Sequence, residues 1–139
     1  MDIGINYLAV VGAAVFAVVL GMLWYGPLFG KMWMRSIGQT KESMMAMMKP
    51  GMGMPVLYIL QIIGALVMSY VVAHLVIALN IVGTSMALQF AFWTWLGLIA
   101  TVALSSVLWE CKSWKYYCIV TGYHLVALAG ITLILAYWR

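Results

Sequence analysis

The sequence predicts an all-α fold, a four-helix transmembrane bundle with a short interfacial cytoplasmic helix between helices one and two. Three observations lead there. Apolar residues make up 67% of the 139-residue chain, and the mean hydropathy is +1.09. Charged residues make up 7%, against about 25% in an ordinary soluble domain, too few to clothe a surface in contact with water. The apolar residues fall into four unbroken runs, whereas barrel strands would alternate. A soluble enzyme, a nucleic-acid-binding domain and a disordered tail are excluded, and a single domain, 1–139, is expected.

The first run predicts a helix over about 7–25. Its leading segment holds Asp2 and no Lys or Arg, and its core is followed by Trp24, Tyr25, Gly26 and Pro27. A cleaved signal would want a basic start and small residues at a cleavage site, so the run reads as a retained membrane helix. The connection from Gly26 to Met54 is long and carries most of the charge. Within it Thr40 is placed to cap a short helix over Lys41–Lys49, stopped by Pro50-Gly51. Met44, Met45, Met47 and Met48 give that helix an apolar side, suited to lying in the membrane interface.

The second run predicts a helix over about 55–79, the third over 86–108 and the fourth over 116–138. Each matches what a hydrocarbon layer of roughly 30 Å requires. Asn80 to Ser85, with Gly83, forms a tight turn, and Trp109 to Lys115 a short polar one, so tight hairpins are expected between helices two and three and between three and four. Helices one and two need not be neighbours, because their loop is long. Lys31, Arg35, Lys41 and Lys49 lie in the first loop and Lys112 and Lys115 in the third, against Arg139 alone on the other side. The basic loops then face the cytoplasm and both termini face outward, which suits a bacterial inner (plasma) membrane. Trp24, Tyr25, Trp109, Trp114, Tyr116 and Tyr117 stand at one interface, and Tyr7, Tyr137 and Trp138 at the other.

Helix association in lipid depends on close backbone approach, so small residues mark seams. Ala13, Ala17 and Gly21 recur every four residues on the first helix, and Ala65, Ser69 and Ala73 on the second. Gly122 and Gly130 stand two turns apart on the fourth. Each stripe reads as a bundle seam, with a dimer seam as the alternative. Cys111 and Cys118 form no CxxC or zinc pattern and read as inert small residues, not as a disulfide.

Two stretches are distinctive: Leu20-Gly-Met-Leu-Trp-Tyr-Gly-Pro-Leu-Phe-Gly-Lys-Met-Trp33, and Gly122-Tyr-His-Leu-Val-Ala-Leu-Ala-Gly130 leading into Tyr137-Trp138. Together with Asn6 they resemble an uncharacterised bacterial integral membrane family, domain of unknown function 1761. The resemblance covers nearly the whole chain and is most specific at Gly21, Trp24, Tyr25, Pro27, Trp33, Gly122, Tyr123 and His124. It implies a four-helix membrane protein and brings no activity, substrate or cofactor with it.

His124 is the sharpest candidate for function. It lies nine residues beyond Lys115, about 14 Å into the fourth helix, close to the bilayer midplane. An ionisable group there faces the bundle interior or a water-filled cavity, as a relay or ligand-binding imidazole or as a neutral histidine tying helices together. Tyr123 and Thr121 are its helical neighbours. His74 sits in the outer third of the second helix, one turn beyond Tyr70 and about 12 Å from the depth of His124. Two histidines at different depths fall short of a metal-ligand set, so no metal and no cofactor are assigned. The methionines of the long loop, Met32 to Met54, suit Cu(I) by softness and an interfacial helix by shape. Glu110 is expected to pair with Lys112, Lys115 or a base of the first loop. Gln61, Gln89 and Asn6 are the remaining strong polar groups, of the kind that ties helices together.

No paired carboxylates, nucleophile–base set or phosphate loop is present, so an enzyme is not expected. Two main readings remain, apart from the metal or cofactor binder. One is a structural or accessory bundle that self-associates or docks on a larger membrane complex. The other is an oligomeric transporter or channel for a small solute, proton or cation, with His124, Tyr123, Gln61 and Thr101 along the route. The expected partners are the lipid bilayer and further copies or subunits; nucleic acid is not one.

Overall fold

A computed structural model describes residues 4–40, 42–43 and 53–138. Helix is the regular structure among the described residues. Helix α1 spans Tyr7–Leu28, α2 Gly30–Ser36, α3 Met54–Ala78, α4 Gly83–Leu108 and α5 Trp114–Tyr137. Of these, α1, α3, α4 and α5 are each long and apolar enough to cross a membrane, which is the all-α architecture that hydropathy predicts.

Local chemistry sets the ends. Asn6 caps α1, its side-chain oxygen accepting from the amides of Leu8 and Ala9 at 3.1 and 3.3 Å. Ser113 caps α5 through the Tyr116 amide at 3.1 Å. Helix α3 begins at Gly53-Met54-Pro55, where the missing proline N–H is no loss. It ends with Asn80 in the left-handed conformation, φ 49°, while Ile81 N–H reaches back to the Val76 carbonyl. Helix α2 closes the same way at Gly38, φ 67°, with Gln39 N–H on the Met34 carbonyl. Thr40 and Ser43 then bond reciprocally, each hydroxyl accepting the other's amide, the geometry of a helix start. Most of the interfacial helix expected to follow, and the methionines Met44 to Met52, lie outside the described residues.

The packing differs from a chain of hairpins. Helix α5 is the hub and packs against α1, α3 and α4. Helix α1 packs closely on α3 in spite of the long connection between them. Helices α3 and α4, joined by only a tight turn, scarcely touch, which corrects the expected hairpin. A short turn fixes the distance between two ends, but the small residues fix which faces meet. Ala9, Ala13 and Ala17 of α1 share one buried cluster with Ala65, Val72, Ala73 and Val76 of α3 and with Leu128, Ile131 and Leu135 of α5. Ser69 is fully buried, and its hydroxyl has no hydrogen-bond partner, so it serves there by its small size. Both stripes are consumed inside the protomer, which removes the dimer-seam alternative for them.

Polar side chains stitch α5 to its neighbours. Trp95 Nε1 donates to the Thr121 carbonyl at 2.8 Å, and the Tyr117 hydroxyl to the Ala100 carbonyl at 2.9 Å. At the other end the Tyr137 and Thr84 hydroxyls bond, and Trp138 lies against Gly12. Bonds of this kind in a bilayer contribute about 0.6–2 kcal/mol each. The outward faces are apolar: Leu98 and Val102 of α4 are 68% and 69% exposed, a surface suited to lipid and not to water.

Gly130 sets the spacing of α1 and α5, because a Cβ there would overlap the Phe16 ring. Gly130→Ala is expected to lower stability by about 1–3 kcal/mol through this overpacking. Denaturant unfolding in detergent micelles measures it, and an unchanged midpoint would contradict the contact.

Candidate functional site

The site grows from a distortion in α1. Pro27 has no N–H to give the Leu23 carbonyl, so the regular ladder cannot pass through it. The chain widens instead over Trp24–Leu28, and the Phe29 amide reaches five residues back to the Trp24 carbonyl at 2.8 Å. Trp24 and Tyr25, adjacent in sequence, both contact Tyr123, with ring centroids at 6.5 and 5.5 Å. Trp24 Nε1 donates to the Ile119 carbonyl at 2.9 Å, and its ring lies on Gly122, where a Cβ would stand 3.2 Å from it. The Tyr123 hydroxyl donates to the Ala17 carbonyl at 2.8 Å, and its ring faces Gly21. Tyr25 meets Trp33 of α2 edge-on at 5.2 Å. Gly30 lies so close to the Tyr25 carbonyl that a Cβ there would overlap it.

Beside this aromatic wall runs a groove of about 650 Å³ between α1, α3 and α5. Val18, Gly21, Met22, Tyr25 and Gly26 line it from α1, Tyr58 and Gln61 from α3, and Tyr123 and His124 from α5. His124 stands ten residues from the start of α5, about 15 Å along it. Its Nδ1 lies 2.8 Å from the Val120 carbonyl. A carbonyl only accepts, so Nδ1 carries a proton, and in the neutral imidazole Nε2 is then the acceptor. Among the described residues, Nε2 of His124, the Gln61 amide and the Tyr25 and Tyr58 hydroxyls have no hydrogen-bond partner. Among the described residues that line the groove there is no Asp, Glu, Lys or Arg. Such a lining can orient a neutral molecule by hydrogen bonds.

The sequence candidates divide sharply. His124, Tyr123, Gln61, Gly21 and Tyr25 come together here, with Trp24, Pro27, Trp33 and Gly122 shaping the wall. His74 does not join them: its Nδ1 bonds the Tyr70 carbonyl at 3.0 Å and its ring stands edge-on to Tyr70, thirteen residues along α3 from Gln61. Asn6 is a helix cap. Glu110 is exposed and makes no ion pair among the described residues, Lys112 and Lys115 included, while Lys41 and Lys49 of the first loop lie outside the described residues. Thr101 lies outside the groove, bonded to the Gly97 carbonyl of its own helix, and Gln89 bonds Ser85. Gln61 ties no helices together, contrary to the expectation for such a group. Among the described residues no three His, Cys, Asp or Glu side chains gather as a metal site, and Cys111 and Cys118 are free thiols.

The sequence model of a family described as "Protein of unknown function (DUF1761)" matches residues 8–136. The chain belongs to this family. No curated protein and no solved structure matches it. In this DUF1761 protein, the two stretches that carried the family resemblance face each other across the α1–α5 contact and build one side of the groove. Tyr58 is the lining residue that the sequence reading missed. Its signal was present: it stands three residues before Gln61, on the same face of α3.

Proposed function

We propose that this small membrane protein binds a neutral small molecule in the groove between α1, α3 and α5. One observation carries the reading. Among the described residues, four polar groups without partners, on three helices, converge on one groove whose lining carries no charge. His124 and Gln61 lie inside membrane-spanning helices, where polar groups are costly and usually paired, and Tyr25 and Tyr58 stand nearer the helix ends, so an unpaired set of this kind invites a ligand. His124 and Gln61 would hold that ligand, and movement of it across the membrane would be the transport reading. The orientation proposed is the one that the basic loops set, with Lys31, Arg35, Lys112 and Lys115 facing the cytoplasm of a bacterial inner membrane.

A docking or self-associating role is the second reading, and α4 favours it. This helix packs against α5 alone among the long helices, and it leaves Phe92, Trp93, Leu98 and Val102 exposed. A partner subunit or a second copy would cover that face, because the small-residue stripe of α1 is already used.

One experiment separates the two. The protein is extracted gently from its own membranes, its native mass is measured, and bound small molecules are identified. The binding reading expects a neutral molecule in the wild-type preparation that is lost from the Gln61→Leu, His124→Phe double variant at unchanged native mass. A large hetero-assembly with no bound small molecule would overturn it in favour of docking.

A further inference from the structure

The inference deepens the groove-binding reading and rests on it: it names the class of ligand. We infer that the groove takes a hydroxylated aromatic lipid, a hydroquinone ring on an apolar tail. The walls come first. Tyr25, Tyr58, Tyr123 and His124 present four rings to one groove, with Tyr25 and His124 at 5.5 and 5.2 Å from Tyr123 by ring centroid. Rings recognise a flat ring through offset and edge-on contacts. The volume, about 650 Å³, lies within the range of ordinary small-molecule sites.

Charge comes second. With no ionic group among the described lining residues, a fatty-acid carboxylate or an ammonium ion would enter without a counter-charge. The ligand is therefore neutral.

The hydrogen bonds then fix the oxygens. Nδ1 of His124 is held by Val120, so Nε2 can only accept. It selects a ligand that brings an O–H. The Gln61 amide and the Tyr25 hydroxyl can each donate to an oxygen lone pair or accept from an O–H, so they satisfy a second hydroxyl in either sense. A hydroquinone offers both across one ring. A long-chain alcohol offers a single oxygen and no ring, and a sugar brings more hydroxyls than four side chains can satisfy. Met22, Gly26, Tyr58 and Gln61 line the groove and are exposed, so it is open along its side, and a tail can leave there into the lipid. Binding alone is inferred; no electron transfer is involved.

The test uses the full chain in nanodiscs of zwitterionic lipid. Binding in excess of empty nanodiscs is measured for decylhydroquinone kept reduced, for its dimethyl ether, and for decanol. Saturable binding of the hydroquinone is expected, with the ether at least tenfold weaker because it has no O–H for His124. His124→Leu is expected to weaken the hydroquinone about tenfold and leave the ether unchanged. Gln61→Leu provides a second variant if the first does not fold, and the comparison of the three probes on wild type needs neither. Equal binding of ether and hydroquinone would overturn the role of His124 Nε2. Equal binding of decanol and hydroquinone would overturn the ring selectivity while leaving a groove that binds amphiphiles. If no probe saturates but a neutral molecule copurifies with the protein, the hydroquinone assignment alone fails; if neither is found, the groove-binding reading fails with it.

Discussion

Trp24→Ala is expected to lower the unfolding free energy in mixed micelles by about 3–5 kcal/mol, the cost of deleting a well-packed indole. The magnitude follows from how many neighbours this one side chain serves. It bonds the Ile119 carbonyl, lies on Gly122, and touches both Phe29 and Tyr123. Trp24→Phe separates the two components. It retains much of the ring packing and loses the Nε1 hydrogen bond, so it should cost only about 1–2 kcal/mol. Circular dichroism against denaturant mole fraction reads both, without relying on the fluorescence of the residue removed. A Trp24→Ala loss below 1 kcal/mol would mean that the α1–α5 wall is not held where the structure places it.

The second large effect is expected at Gly30. Its hypothetical Cβ overlaps the Tyr25 carbonyl, and a backbone atom cannot rotate away as a side chain can. Gly30→Ala must therefore rebuild the widened turn, with a loss of about 3 kcal/mol, at the upper end of overpacking costs. Tyr25 moves with that turn, so ligand retention in the groove should fall in the same variant. Gly64→Ala is the control, since open space surrounds that position and it does not line the groove. A Gly30→Ala protein with wild-type stability and wild-type ligand retention would show that the tight approach of α2 to Tyr25 is not needed.

Much of the fold was legible because membrane helices are written as unbroken hydrophobicity, and lipid leaves the backbone few alternatives. Thr40 was legible as a cap from its position alone, and its reciprocal bond with Ser43 matches. The order of packing was not legible. Lipid-facing and protein-facing sides of these helices are almost equally apolar, so no stripe of polarity marks the inside of α5 or the lipid side of α4. Only the small-residue stripes at 13, 17 and 21 and at 65, 69 and 73 carried that information, and they named seams without naming their partners. The first helix was read as ending at about residue 25, short of Pro27, yet a wide turn carries the helix past the proline. The groove was half legible. His124 and Gln61 stood out as polar residues in apolar runs, but 63 positions separate them, and only the α3–α5 contact brings them to one cavity. Tyr58 was overlooked although it stands three residues before Gln61, because tyrosine near a helix end reads first as an interface anchor.

The hub position of α5 also orders the life of the chain during synthesis. Helices α1 and α3 can associate once both are in the bilayer, since their alanine faces need no third member. Helix α4 then enters with almost nothing to hold it, because α5, its only close neighbour among the long helices, follows it in the chain. The indole of Trp95 and the carbonyl of Ala100 wait for Thr121 and Tyr117 in the same way. Arrival of α5 thus closes the wall against Trp24, captures α4 and completes the groove in one event. A chain cut short before residue 114 would hold α1 and α3 together and leave α4 without its main neighbour, with the groove open on its α5 side.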